Sequence, residues 1–397
     1  MVNYNSSFPS FIKYMGSKSN ILDFVMEGIN DAHIEGSAIV DLFSGSATLS
    51  GALRGHASVI ANDIQEYSKV LSTAYLTNYD WYTNLNMIED IINTASSKYE
   101  HLVKALNLEA FIGIYNREFD LVDFKITEKS QQEVYKREGW VDEYHLFTKY
   151  YSGTYWSLEQ CIWIDAFRYS ADFYEKLGMK SAILAALMFA MSYNAQSTGH
   201  YAQYRNAKDE KSMNDILIYR RKSIVPYVKR KLEELRDSMV HENAFTHRAY
   251  SIDYRELLKK IPERSTIYAD PPYCFVHYSR FYHAIETLVR YDYPDIKHKG
   301  RYREDRHQSP FSIRTKVPKA FEELFRLTKL KKSNLVLSYS NTGMIQLEEI
   351  IKLAQKNMKG YSVEITTIDY KHSTMGRRDD KSRNVREALI IAKKRER

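Results

Sequence analysis

Apolar and polar positions follow two rhythms along this chain. Short, nearly continuous apolar runs recur at Ser37–Leu42, Ala57–Ile64, Ala244–Tyr250, Ser265–Ala269, Asn334–Tyr339, Ser362–Tyr370 and Ala388–Lys393. Runs of this length, rich in β-branched and aromatic residues and closed by small or polar ones, predict strands. Helical spacing appears at Ile21–Ile29, Ser181–Ala195 and Met213–Met239, and Pro226 within the last predicts a kink or break. The first elements read strand, turn, helix, strand, the opening of a doubly wound α/β sheet. Residues 81–180 differ. They are rich in aromatic and charged residues, lack Gly-marked strand ends, and predict a mostly helical inserted module between catalytic segments 1–80 and 181–397. Cys274–Lys316, dense in Tyr, His, Arg and Lys, reads as a long loop.

Composition narrows the class. With 397 residues, 44% hydrophobic, the chain can bury a large core, as two or three domains or as one α/β domain with insertions. The net charge of +7 suits a polyanionic partner. Two cysteines, Cys161 and Cys274, stand far apart in no metal-ligand spacing, which excludes a disulfide scaffold and a zinc site. Cys274 is expected to pack. The longest apolar run, near Ala182–Met191, is too short for a bilayer. The first residues show no signal-peptide pattern, so a reducing cytoplasm is the expected setting.

The most informative residues are Asp270-Pro271-Pro272-Tyr273, which end the run Ser265–Ala269. Adjacent prolines hold the backbone extended and donate no N–H. The corner presents a carboxylate, carbonyls and an aromatic face. Asp270 and the Pro271 carbonyl can accept from an exocyclic NH₂ while Tyr273 stacks on the heterocycle. The same residues also read as a strand and a Pro-Pro turn.

Two further motifs precede it. Asp41-Leu42-Phe43-Ser44-Gly45-Ser46-Ala47 ends a strand and turns into a helix, and Gly45, lacking a Cβ, lets a ligand approach. Asp63 ends the next strand, where a carboxylate suits two ribose hydroxyls. This is not G-x-G-x-x-G, and no pyrophosphate cradle is present, which favours a mononucleoside-like cofactor. Lys13-Tyr14-Met15-Gly16-Ser17-Lys18 is no P-loop either. Its functional reading closes Tyr14 and Lys18 over the carboxylate end of that cofactor, and its plain reading is a solvated basic loop.

In this order, KYMGSK, DLFSGSATLSG, NDI, SIDY and DPPY resemble the DNA adenine-N6 methyltransferases of the Dam-like (D12) class. The resemblance runs through most of the chain and weakens over about 80–180, where such families carry a variable target-recognition module. It implies a Rossmann-like, mixed seven-stranded sheet with helices on both faces, S-adenosyl-L-methionine as cofactor, and double-stranded DNA as partner. It also implies that Tyr14 and Lys18 bind the cofactor, that Phe43, Gly45 and Ser46 lie under its methionine moiety beyond Asp41, and that Asp63 takes the ribose. Asp253 and Tyr254 would meet its adenine. A second glycine is usual in this family where Ser46 or Ala47 stands here.

The implied reaction rotates an adenine out of the duplex and methylates its N6 against Asp270, Pro271, Pro272 and Tyr273. Tyr193 or Asn194, in a polar segment ending Gly199-His200-Tyr201, would line the base pocket. In Lys297–Arg306, near Tyr282 and Tyr302, the cations Lys299, Arg301, Arg303 and Arg306 would meet phosphates. Arg220, Arg221, Lys229, Arg230 and a basic loop over His372–Arg386 read the same way, with solvated surface as the plain alternative. A cognate restriction endonuclease would accompany such an enzyme. Rival readings are methylation of another planar nitrogen (cytosine N4, RNA adenine, protein glutamine) and a non-catalytic cofactor-sensing DNA-binding protein. A zinc deaminase is excluded for want of Cys and His ligands.

Overall fold

A computed structural model describes residues 1–14, 16–197, 200–239, 244–273, 278–373 and 382–395. Nine strands occur among them: β1 (Ile39–Asp41), β2 (Val59–Asn62), β3 (Arg248–Tyr250), β4 (Thr266–Ala269), β5 (Ile296–Lys297), β6 (Tyr302–Arg303), β7 (Asn334–Ser340), β8 (Tyr361–Ser373) and β9 (Ser382–Lys394). Seven form one sheet in the order β3-β2-β1-β4-β7-β9-β8, and β5 and β6 make a separate ribbon. The pairs from β3 through β7 are parallel, and β9 runs antiparallel to both β7 and β8. This is the mixed, seven-stranded α/β sheet expected.

Burial on both faces explains the apolar runs. In β1 and β4 every residue is buried, and Val40 lies between Ile60 and Ile267 in register. The helix Leu22–Ala32 lies close on the sheet at Gly28, where an added Cβ would sit 2.6 Å from Leu389 Cδ1. The chain builds outward from β1 through β2 to β3, then returns to β4 on the other side. The strand order therefore reverses between β1 and β4, the crevice where open α/β sheets hold ligands.

Residues 81–180 contain the helices Met87–Ala105, Leu121–Gln132, Leu146–Tyr151 and Leu158–Phe173. Trp156 and Phe167 from this segment share one apolar core with Met188 of the helix Lys180–Asn194, with Leu232, and with Tyr67 and Leu71 of the helix after β2. Packing is thus continuous across residue 180. Of the kink or break expected at Pro226, the structure shows the break. Pro226 stands in the first turn of Val225–Asp237, where its missing N–H costs nothing, and a separate helix, Glu210–Arg220, precedes it. The stretch read as a loop from Cys274 contains the helices Tyr278–Phe281 and His283–Arg290, the second burying Ala284, Ile285 and Leu288. Cys274 itself lies outside the described residues, as do Met15, Thr198 and Gly199. His372, Ser373 and Ser382–Arg386 belong to the paired strands β8 and β9 rather than to a loop, and residues 374–381 are outside the described set. Among the described residues no helix is long and apolar enough to cross a membrane.

Arg220, read as a phosphate contact, is buried. It bonds Glu128 through Nε at 2.9 Å and Nη2 at 2.7 Å, and the Thr154 carbonyl at 2.8 Å. Arg221 likewise donates to the Tyr115 carbonyl at 2.9 Å. Glu128→Ala would strand the Arg220 cation in the interior and is expected to lower stability by about 3–5 kcal/mol. Replacing both by apolar residues should restore most of it. Chemical denaturation of the wild type and both variants measures this, and equal losses in the single and double variants would contradict it.

Candidate active site

Three carboxylates stand side by side at the ends of adjacent parallel strands: Asp41 on β1, Asp63 just after β2 and Asp270 just after β4. All three line one cavity with Tyr14, Lys18, Phe43, Gly45, Ser46, Asp253, Tyr254, Pro271, Pro272 and Tyr273. Residues drawn from five separate motifs thus meet at the point where strand order reverses.

Local geometry accounts for the loop after β1. Ser44 donates its N–H to the Asn62 carbonyl at 2.7 Å, which ties the loop to β2. Gly45 (φ +49°) and Ala47 (φ +61°) are both left-handed, and Ala47 then starts the helix Thr48–Leu53. An alanine there bears a cost of about 1–2 kcal/mol that glycine would avoid, so the missing second glycine leaves the backbone path intact. A Cβ on Gly45 would stand 3.0 Å from the Tyr14 ring, which itself stacks on Tyr282 with centroids 4.8 Å apart. Asp63 holds the turn from the opposite side, accepting from Gly45 N and Gln65 N, each at 3.0 Å.

The carboxylates are unequal. Burial, then Asp270 and Asp63 nearby, raises the Asp41 pKa well above the ordinary carboxylate range. Burial also raises Asp63, against the N–H groups of Gln65, Gly45 and Ile64, which favour its anion. Asp270 is raised by burial, with the Lys18 ammonium opposing. Lys18 lines the cavity and also has protein partners. Its buried Nζ lies 3.1 Å from Asp270 Oδ1 and 2.6 Å from Glu387 Oε1, because a buried cation takes the nearest buried anions. The same Nζ sits 5.4 Å from the centroid of the Tyr273 ring. Tyr273 is 9% exposed, meets Tyr339 edge-on at 5.7 Å, and accepts from Met344 N at 2.9 Å through its carbonyl.

Aromatic and apolar groups form the rest of the wall. Phe43 lies 5.7 Å from Tyr254 and 5.5 Å, edge-on, from Phe311, and Ile64 and Ile252 also face the cavity. Asp253 caps the helix Tyr254–Lys260 and is held by Arg255, from Nε to Oδ1 and from Nη2 to Oδ2, both at 2.8 Å.

Several expected DNA contacts lie elsewhere. Asn194 is buried, with its amide donating to the Ala190 carbonyl at 2.7 Å, and does not line the cavity. Tyr193 also stands outside it, stacked near Phe189 and Tyr227 with Lys13 Nζ 4.6 Å from its ring. Arg303 is 2% exposed and gives four of its five guanidinium N–H donors to Asp292 and Asp305, so it is buried and neutralised by protein acids rather than presented to a phosphate. Arg301 is half-buried, lying over the exposed Tyr135 ring with Nη2 3.3 Å from the Gln132 carbonyl. Lys299 is exposed and Arg306 half-buried, its Nε bonded to the Arg303 carbonyl at 3.0 Å.

Sequence reasoning missed Glu387. It is the single acid of β9, standing immediately before the apolar run Ala388–Ala392, and that isolated charge beside a buried strand was its signal. It also missed His307, Gln308 and Ser309 at the cavity, because the stretch around them reads only as polar loop.

The family model for D12 class N6 adenine-specific DNA methyltransferases matches residues 14–352. Modification methylase LlaI of Lactococcus lactis subsp. lactis is 25% identical over 390 residues, 96% of this chain and 55% of that protein. Type II methyltransferase M.FokI of Planomicrobium okeanokoites is 24% identical over 353 residues, 85% of this chain and 46% of that protein. Type II methyltransferase M.NlaIII of Neisseria lactamica is 21% identical over 393 residues, 96% of this chain and 99% of that protein. The chain therefore spans about half the length of the first two and nearly all of the third.

Proposed function

Because the chain belongs to the D12 class of N6 adenine-specific DNA methyltransferases, we propose that it moves a methyl group from S-adenosylmethionine to N6 of an adenine rotated out of double-stranded DNA. One observation carries this reading. The Asp270 corner opens on the same cavity as Gly45, Phe43 and Asp63.

The residues fit that cofactor. Asp63 accepts from Gly45 N on one oxygen and from Gln65 N on the other, and a carboxylate's roughly four lone-pair sites leave acceptor capacity for hydroxyls. Phe43, Ile64, Ile252 and Tyr254 offer an apolar wall for a flat base. Gly45 keeps open a space that any side chain would close against Tyr14. With Lys18 and Asp253 both held by protein partners, neither is assigned a cofactor contact.

When bound, S-adenosylmethionine supplies an electrophilic methyl carbon on a sulfonium. The protein's task is the nucleophile. The N6 lone pair of adenine is delocalised into the ring. The Asp270 carboxylate and the Pro271 carbonyl, fixed by the two prolines, accept the two N6 hydrogens and favour a more sp³-like nitrogen. As the nitrogen acquires the methyl group that the cofactor would supply, Asp270, whose proton affinity burial has raised, would take the departing N6 proton. Holding the two atoms in line supplies much of the acceleration. Tyr273 presents its ring to the base from the same corner.

Residues 81–180, together with the helices that share their core, are proposed to read the DNA sequence, with Lys299 on the phosphates. A restriction endonuclease is the partner this reading implies, as in the systems for which modification methylases are named. The test is to sequence modified bases in the DNA of a host expressing the chain. N6-methyladenine in one recurring context is expected. Unmodified adenine throughout, with the protein soluble, would overturn the reading.

A further inference from the structure

The cavity's Lys18 is shared unequally between two acids. Its Nζ makes a 2.6 Å hydrogen bond to Glu387 Oε1 but only a longer, less well aligned ion-pair contact of 3.1 Å with Asp270 Oδ1. Glu387 is 0% exposed, and its Oε1 also accepts from Ser338 Oγ at 2.5 Å. It is anchored on β9 opposite Ser340 of β7, so the carboxylate is fixed by the sheet. Asp270 has a side chain 18% exposed and lines the cavity, whereas Glu387 does not.

A buried cation bonded tightly to Asp270 would draw down the negative charge that makes this carboxylate an acceptor for the substrate's amino group. We propose that Glu387 is a positioning residue: it draws the Lys18 ammonium onto itself and so leaves Asp270 free to accept the amino group of the base. This rests on the reading of Asp270 given above. The charged and titratable groups facing Asp270 are Lys18, Glu387, Asp41 and Tyr268, from four different elements. Of these, Lys18 favours the Asp270 anion, and Glu387 opposes it.

The rate should fall with falling pH as Asp270 takes a proton, so the acid limb of methyl transfer reads this arrangement. Glu387→Gln removes a like charge and releases Lys18 to Asp270. Its acid limb is expected to move to lower pH by about one unit, with a lower plateau and little change in KM for DNA. Lys18→Met removes the stabilising cation, and its limb should move to higher pH. Should Glu387→Gln fold poorly, Lys18→Met/Glu387→Gln, a neutral pair, is compared with Lys18→Met, and its limb should again lie lower. A purely structural role for Glu387 changes yield and thermal stability and leaves the limb in place. A wild-type protein that methylates no adenine overturns the reading of Asp270. A wild-type protein that does, with limbs that coincide in the variants, overturns the role of Glu387 alone.

Discussion

Asp270→Ala is expected to slow methyl transfer to DNA by about 10³-fold while cofactor affinity stays within a few-fold of the wild type. Electrostatic groups aimed at a developing charge are worth roughly 10²–10³-fold each when deleted, and Asp270 both accepts an N6 hydrogen and receives the departing proton. The fold should survive. Lys18 keeps its 2.6 Å bond to Glu387, so no buried cation is stranded, and the removed side chain is the partly exposed member of the trio. Single-turnover transfer from a labelled cofactor, paired with equilibrium binding of that cofactor, separates the two effects. Near-wild-type transfer, or a loss accounted for by weakened cofactor binding, would remove Asp270 from the chemistry.

The second large effect is expected at Asp63. Asp63→Ala deletes a carboxylate that accepts from Gly45 N and Gln65 N, each at 3.0 Å, and that is assigned the cofactor's hydroxyls. Hydrogen bonds to a charged group are worth about 1.5–3 kcal/mol, so loss of one such bond to the ligand and loosening of the Gly45 turn should weaken cofactor binding by about 100-fold. Asp63→Asn retains an acceptor and should recover part of that loss. Because Asp63 does not touch the amino nitrogen, the rate at saturating cofactor should fall far less than in Asp270→Ala. Calorimetric titration with the cofactor reads the affinity directly, and an unchanged Kd in Asp63→Ala would exclude the ribose assignment.

Much of this site was legible because strand ends are legible. Asp41, Asp63 and Asp270 each close an apolar run, and a parallel sheet carries such residues to one edge, so three sequence-distant acids meet without any detail of side-chain packing. Gly45 and the two prolines were readable for a related reason: their backbone restrictions are properties of the residue itself. What failed depended on partners. Nothing in the local sequence of Lys18 reveals its partner Glu387, which lies 369 residues away. Arg303 looked like a phosphate contact until Asp292 and Asp305 enclosed it. Asn194 looked like a polar pocket residue, but helical periodicity from Lys180 turns it inward to bond its own helix. Charge and polarity along a chain identify groups that need a partner, and only the tertiary fold decides whether that partner is protein, ligand or water. The helical character of His283–Arg290 was hidden similarly, by flanking tyrosines and cations that mask a short apolar face.

The central claim is that the proline-framed carboxylate at the end of β4 directs a methyl group to the exocyclic nitrogen of adenine. Its most direct test is to incubate the full chain with duplex DNA and a methyl-labelled cofactor, digest the DNA to nucleosides, and locate the label. The account predicts that the label resides in N6-methyladenosine of the deoxy series, and that Asp270→Ala labels that nucleoside about 10³-fold more slowly. Label in N4-methylcytosine, or equal labelling of adenine by the Asp270→Ala protein, would contradict it.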